Sequence, residues 1–294
     1  MRPAWKCILL CTIMKAYEIG LYEKAMRNSL SWREKLECAK ECGYDYVEMT
    51  IDASEEKISR VYSSAEERLE LIKTMYETGM PVRSMSVSAL TKFAIGDPDG
   101  AKRNRGVEIL EKSIELAADL GIRVVMVPGY DIYFGESTLE TKRLFLENIK
   151  KATEQAAACG VILGFETMEN EFMNTVGKAM KYVSLVDSPY LKIYPDCGNI
   201  TNAAVLHSHD VCEDLSLGKN NVVALHLKES KPGIFREVPY FTGHVPFDGL
   251  IETAWNLGVR RFVTELWDVG MDSWKDDIKF ANKSMRALID KHVK

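Results

Sequence analysis

The sequence predicts a single-domain α/β protein, a (β/α)8 TIM barrel, from three observations. Helical stretches repeatedly end at a glycine followed at once by a β-branched, apolar run; strands and helices alternate throughout; and no linker or shift in composition divides the 294 residues. Glycine tolerates the left-handed conformation that closes a helix, so each such glycine marks a handover from helix to strand.

The elements follow in order. A first strand reads at Tyr17 to Leu21, and Trp32 to Cys42 reads as an amphipathic helix. Gly43 then hands over to Tyr44–Met49, Gly79 to Pro81–Val87, Gly121 to Ile122–Val127 and Gly160 to Val161–Glu166. A sixth strand reads at Tyr190 to Pro195. Gly218 precedes Asn221–His226, Gly258 precedes Val259–Glu265, and the last helix spans Ser273 to Lys291. Eight strands thus alternate with eight helical stretches. Parallel neighbours need such crossovers, and eight units close as a barrel. An open doubly wound sheet would call for a GxGxxG after the first strand, and there is none.

Residues 16–294 form the expected barrel and residues 1–15 an N-terminal extension. Met1 to Lys6 followed by the apolar Cys7 to Met14 looks partly like a secretory leader, but the run is short and no small-residue cleavage site follows. A non-essential extension is the favoured reading, with initiation at Met14 as one form of it. No stretch approaches the ~18–20 apolar residues of a membrane span. The composition, 46% hydrophobic and 28% charged, is that of a soluble globular chain. A net charge of -5 leaves no basic stripe for nucleic acid. The seven cysteines include no CxxC, which fits a reducing cytoplasm. Cys38 and Cys42, one helical turn apart, read as buried helix residues rather than ligands.

Active sites of this fold collect at the C-terminal ends of the strands. The fifth strand ends in Phe165-Glu166, the sixth runs into Asp196, the seventh carries His226 and the eighth ends in Thr264-Glu265. Adjacent strands lie about 4.8 Å apart, so these four side chains can converge. Three carboxylates brought together would suppress one another's ionisation, and a divalent cation removes that cost. The oxygen-rich set with one imidazole favours Mn²⁺ or Mg²⁺, with Zn²⁺ or Co²⁺ as further options. Any one acid after a strand could be a helix N-cap; four in series are hard to assign to chance. Glu23 and Glu48 are candidate substrate contacts with structural roles as the alternative. His244, in the loop after the seventh strand, is a further candidate. His207 and His209 read as solvent-facing or capping residues.

Several segments resemble the L-ribulose-5-phosphate 3-epimerase family, also called L-xylulose-5-phosphate 3-epimerases, with some members labelled hexulose-6-phosphate isomerases. They are Gly20-Leu21-Tyr22-Glu23-Lys24-Ala25, Val47-Glu48-Met49, Gly129-Tyr130-Asp131-Ile132-Tyr133, Tyr194-Pro195-Asp196-Cys197-Gly198-Asn199 and Lys228-Glu229-Ser230-Lys231-Pro232-Gly233. The resemblance extends from about Ala16 onward. It implies a metal held by Glu166, Asp196, His226 and Glu265, the four residues picked by the strand ends. Where the family usually carries a histidine after the third strand, this chain has Leu90, with Lys92 two residues on.

The implied reaction interconverts L-ribulose 5-phosphate and L-xylulose 5-phosphate by proton abstraction and return at C3, through a metal-bound enediolate. Two bases on opposite faces are needed, and Glu166 and Glu265 are assigned to them. Lys228, Lys231 and Arg236 are candidate phosphate contacts; a solvated turn is the alternative for Lys231. On the same scaffold, an aldose–ketose isomerase or an epimerase of unphosphorylated ketoses competes. An endonuclease-IV-like enzyme would need a trinuclear zinc cluster, and the chain has only five histidines. A non-catalytic sugar-binding barrel would be expected to lose a ligand. The expected partner is a small sugar phosphate; homo-oligomers are common among such barrels.

Overall fold

The computed structural model describes residues 15–293. The expected leader and initiation at Met14, and all of the expected extension but Lys15, fall on residues outside those described.

The strands are β1 (Glu18–Tyr22), β2 (Tyr46–Thr50), β3 (Val82–Ser86), β4 (Val124–Pro128), β5 (Ile162–Glu166), β6 (Leu191–Tyr194), β7 (Leu225–Leu227) and β8 (Arg261–Thr264). They form one parallel sheet in the order β6-β5-β4-β3-β2-β1-β8-β7. Two isolated parallel bridges, Ile193 to Val222 and Asp196 to His226, carry β7 back to β6 and close the barrel. The second of them sets two of the predicted metal ligands side by side.

Among the described residues, ten α-helices surround the sheet: α1 (Trp32–Glu41), α2 (Glu55–Ser59), α3 (Ala65–Thr78), α4 (Gly100–Leu120), α5 (Leu139–Cys159), α6 (Val176–Val186), α7 (Cys197–His207), α8 (Val211–Ser216), α9 (Phe247–Asn256) and α10 (Trp274–Ile289). The count exceeds the expected eight because the units after β2 and β6 each hold a second helix. In α4 the buried positions Gly106, Ile109, Leu110, Ser113, Ile114, Ala117 and Leu120 recur every three or four residues and face the sheet. None of the described helices is long and apolar enough to cross a membrane.

Five of the six handover glycines behave as expected: Gly43, Gly79, Gly121, Gly160 and Gly258 all adopt positive φ. Gly218 does not. Asn220 takes the positive φ in its place, and a Cβ at Gly218 would lie 2.6 Å from Ile193 Cδ1. That glycine is a packing requirement, and β7 begins four residues later than expected.

Side chains alternate across each strand, so residues two apart share a face. Tyr22, Tyr46, Val124, Met126, Tyr194, Ala224 and Val263 fill the barrel interior, while the larger core lies between sheet and helices. The interior is narrow: a Cβ at Gly20 would meet the Tyr46 ring at 2.3 Å. Continuing the inward parity brings Glu48 from Tyr46, Asp196 from Tyr194, His226 from Ala224 and Glu265 from Val263. Alternation therefore aims every one of these polar side chains into the same axis.

Candidate active site

At the C-terminal mouth, ligand atoms from Glu166, Asp196, His226 and Glu265 all lie within 4.8 Å of one another, and all four residues are buried. Glu166 is the last residue of β5 and Glu265 the first beyond β8. His226 Nδ1 is 2.6 Å from Glu265 Oε2 and 3.7 Å from Glu166 Oε1. Asp196 is both an N-cap and a member of this group. Its Oδ1 accepts from Asn199 N at 2.7 Å, which starts α7, and from Lys228 Nζ at 3.0 Å. Its Oδ2 is buried and has no hydrogen-bond partner.

A buried carboxylate oxygen without a partner is costly unless a cation satisfies it. One imidazole and three carboxylates around that oxygen are a donor set suited to a divalent metal. The residues fit the group that the sequence implies.

Electrostatics separate the acids. Burial, reinforced by the charge of Glu265, pushes Glu166 well above the usual carboxylate range. Burial likewise raises Asp196, to about 7. Glu265 goes the other way: against its own burial, Lys228 and His226 hold its carboxyl below the ordinary range. Lys228 is itself buried yet held charged, because Asp196 and Glu265 outweigh its desolvation.

A cleft of about 230 Å³ opens directly onto this group, with Glu166, Glu265, Lys228 and Asn199 at its floor. Lys24, Ser88, Glu169, Phe235, Arg236 and Trp267 form its walls. A larger hollow of about 350 Å³ lies on the outer surface against Trp32, Arg60 and Arg68. It contains none of the acid group, so the smaller cleft is the candidate site.

Two of the other predicted contacts, Lys228 and Arg236, line the cleft. Arg236 comes from the loop after β7 and pairs with Glu169 Oε1 at 3.2 Å. Glu229 holds that loop, accepting from Ser230 N (2.9 Å), Phe241 N (2.9 Å) and Val245 N (3.2 Å). A Cβ at Gly243 would sit 2.0 Å from Ser230 O, so only glycine lets the loop fold back this tightly.

Four expected substrate contacts are placed elsewhere. Glu23 is buried among Lys35 (2.7 Å), Lys57 (2.5 Å) and Arg60 (2.7 Å), which occupy both of its oxygens. Glu48 lies beneath His226, with Oε1 2.6 Å from its Nε2, and does not reach the cleft. Lys231 is an exposed residue of a turn closed with Ile234. His244 faces Ser230 Oγ at 3.1 Å, outside the cleft walls. Leu90 is a core residue of a 3-10 turn whose first residue, Ser88, reaches the cleft instead. Lys92 stacks on Phe93 at 5.1 Å. His207 and His209 stack on each other at the end of α7, away from the acid group.

Strand ends do not reach Lys24, Ser88, Glu169 and Trp267, which lie beyond their strands, the first two in 3-10 turns and the others in loops. Glu169 had one sequence signal, its separation of three residues from Glu166, and it is fixed by the Tyr130 hydroxyl as well as by Arg236.

Comparison with known proteins places the chain in a family. Residues 36–288 match the family model described as xylose isomerase-like TIM barrel. The L-ribulose-5-phosphate 3-epimerase UlaE of Escherichia coli O139:H28 is 38% identical over 256 residues, covering 87% of this chain and 89% of that protein. Among solved structures, an L-ribulose 3-epimerase superposes with a TM-score of 0.75 at 18% identity, covering 94% of this chain and 95% of the other. A D-psicose 3-epimerase in the presence of D-fructose gives 0.76 at 16%, covering 92% and 99%. These two show the shared barrel. With a family model spanning most of the barrel and a relative this similar over nearly its whole length, the chain belongs to the xylose isomerase-like TIM barrels and, among them, to the L-ribulose-5-phosphate 3-epimerase family.

Proposed function

We propose that this protein is a metal-dependent 3-epimerase that interconverts L-ribulose 5-phosphate and L-xylulose 5-phosphate. The observation that carries the reading is the convergence of Glu166, Asp196, His226 and Glu265 around the bare Asp196 Oδ2, with Glu166 and Glu265 of that group lining a cleft of about 230 Å³. Membership of an epimerase family supports it.

Epimerisation at C3 removes a proton from one face of the carbon and returns one to the other, leaving the sugar otherwise unchanged. Glu166 and Glu265 enter from β5 and β8 and both line the cleft. Their surroundings drive the two carboxyls apart, one toward the protonated form and one toward the ionised form. That is the condition for a base on one face and an acid on the other. In this reading one carboxylate oxygen accepts the C3 proton and the opposite carboxyl delivers its own, with the roles exchanged in the reverse direction. Glu166, Asp196, His226 and Glu265 would hold the cation, Mn²⁺ or Mg²⁺ by donor type, with Zn²⁺ or Co²⁺ also suited. When bound, it would act as a Lewis acid for the charge that develops beside C3. Lys228 sets the charge of the floor, and Arg236 and Lys24 are the cations available to a phosphate in the walls.

A second reading, an epimerase of unphosphorylated ketoses, is favoured by one feature. Both wall cations already have acidic partners, Arg236 with Glu169 at 3.2 Å and Lys24 with Asp52 at 3.6 Å. Incubating metal-loaded protein with L-ribulose 5-phosphate in D2O and following the sugar by NMR tests both. Deuterium at C3 with L-xylulose 5-phosphate appearing is the expected result. Exchange only with free L-ribulose would favour the second reading, and exchange at C1 would replace epimerase by isomerase.

A further inference from the structure

We infer that Glu48 is a positioning residue for the metal group: it fixes the His226 ring so that Nδ1, and not Nε2, is the atom offered to the cation. The inference rests on the metal reading above.

His226 is fully buried, and its two ring nitrogens have different company. Nδ1 points at the acid group, 2.6 Å from Glu265 Oε2 and 3.7 Å from Glu166 Oε1. Nε2 points the opposite way, down the barrel axis, and meets only Glu48 Oε1 at 2.6 Å. Glu48 cannot act on a sugar itself, since it has no exposed surface and does not line the cleft. Whatever it does must pass through the imidazole.

Its other oxygen is also held. Oε2 accepts from Ser84 Oγ at 2.6 Å on β3 and from Tyr194 Oη at 2.9 Å on β6. One carboxylate thus ties β2, β3, β6 and β7 together beneath the mouth. Both Oε2 partners donate, so Oε1 is left to accept, and the matching donor is the Nε2–H of the ring. With Nε2–H kept on Glu48, Nδ1 is the nitrogen that can give up its proton, now directed at Glu265 Oε2, when a metal takes its place. The Tyr194 and Tyr22 rings pack edge-on against the imidazole at 4.9 and 5.9 Å. Carboxylate–histidine pairs of this kind raise ligand basicity and fix ring orientation, and their loss typically costs ~10–100-fold in metal affinity.

Zinc titration of the purified protein with its Glu48→Ala and Glu48→Gln variants tests this, together with long-range ¹H–¹⁵N spectra of the zinc-loaded forms. Glu48→Ala is expected to bind zinc ~10–100-fold more weakly. Glu48→Gln, whose amide oxygen still accepts from Nε2–H, is expected to recover part of that loss and remains informative if the alanine variant does not fold. The spectra of the unaltered protein should carry a His226 proton on Nε2, protected from exchange, and that protection should vanish in Glu48→Ala. A purely structural Glu48 would change the melting temperature without moving this signal. Zinc affinity within twofold of the unaltered protein in both variants, or a proton found on Nδ1, overturns the inference. Failure of the unaltered, folded protein to take up zinc overturns the metal reading and this one together; retained zinc binding in both variants sinks this one alone.

Discussion

Two buried acidic groups, one beside β1 and one across the mouth, are made of the same residue type in the same kind of position and do opposite things. Glu23 directly follows β1. It receives Lys35, Lys57 and Arg60 as well as the Thr50 amide (2.9 Å) and hydroxyl (3.1 Å). Against its burial, Arg60, Lys57 and Lys35 hold its carboxyl far below the usual range. At the mouth the proportions are reversed. Glu48, Glu166, Asp196 and Glu265 share the single lysine Lys228 and the imidazole of His226. One oxygen there has no partner at all, and two carboxyls are pushed up by burial. An acid whose bonding capacity is used up braces the barrel. An acid left unsatisfied at the floor of a cleft has bonding capacity to spare for a cation or a substrate.

The same isosteric change should therefore read out in opposite ways, and this is the largest effect expected. Glu166→Gln should lower kcat by on the order of 10³-fold, the scale of a lost general acid or base. It should leave the melting temperature of the metal-free protein unchanged or raised, since it removes an unsatisfied acid. Glu23→Gln should cost on the order of 3 kcal/mol of stability, because three cations lose their shared counter-charge in a buried place. Its zinc affinity should stay near that of the parent. Steady-state kinetics and denaturant unfolding of both variants would decide the matter. If Glu23→Gln unfolds like the parent and loses turnover, the contrast between the two groups is wrong.

Acid and alkaline pH should pull the two groups apart as well. Glu23 has a folded pKa below its unfolded value of about 4.3, so its contribution is present above that pH and is lost as pH falls. Asp196 is raised to about 7. Its contribution is full below its unfolded value near 3.9 and is lost as pH rises through about 7. The metal-free protein should accordingly be most stable near pH 4–5 as far as these groups decide it, declining toward neutrality. Asp196→Asn should flatten the neutral limb and Glu23→Gln the acid one, in melting curves recorded across pH without divalent ions. An unchanged neutral limb in Asp196→Asn would remove the claim that the mouth is electrostatically unsatisfied.

Most of the frame and the centre of the site could be read from the residues, because both obey short-range rules. Helix-ending glycines mark strand starts through φ, and strand ends mark the mouth; hence Glu166, Asp196, His226 and Glu265 emerged together. What escaped depends on partners distant in sequence. Glu23 and Glu48 both looked like rim acids, and nothing nearby in the chain says that Lys57 and Arg60 will fold back onto one and His226 onto the other. Gly218 resembled the other glycines but serves the Ile193 contact, and β7 starts later than the glycine pattern predicts. Lys231 and Arg236 stand five residues apart in one loop, and only the hold of Glu229 on three amides decides which of them turns inward.

That last distinction predicts the smallest effect and still bears on substrate choice. Arg236 is in the cleft wall beside Glu169, whereas Lys231 is exposed outside it. A hydrogen bond to a charged group contributes roughly 1.5–3 kcal/mol, so Arg236→Ala should raise KM for L-ribulose 5-phosphate by about tenfold or more. Lys231→Ala should stay within about twofold, as expected for a solvated surface charge. Neither change should alter KM for free L-ribulose by much, since no phosphate is there to be held. Measuring both substrates on both variants thus separates a phosphate grip from a general weakening of the loop. Equal losses on the phosphorylated sugar from Lys231→Ala and Arg236→Ala would move the phosphate out of the cleft and onto the turn. Equal losses on both sugars from Arg236→Ala would instead make Arg236 a brace for Glu169, and the unphosphorylated ketose would become the better candidate substrate.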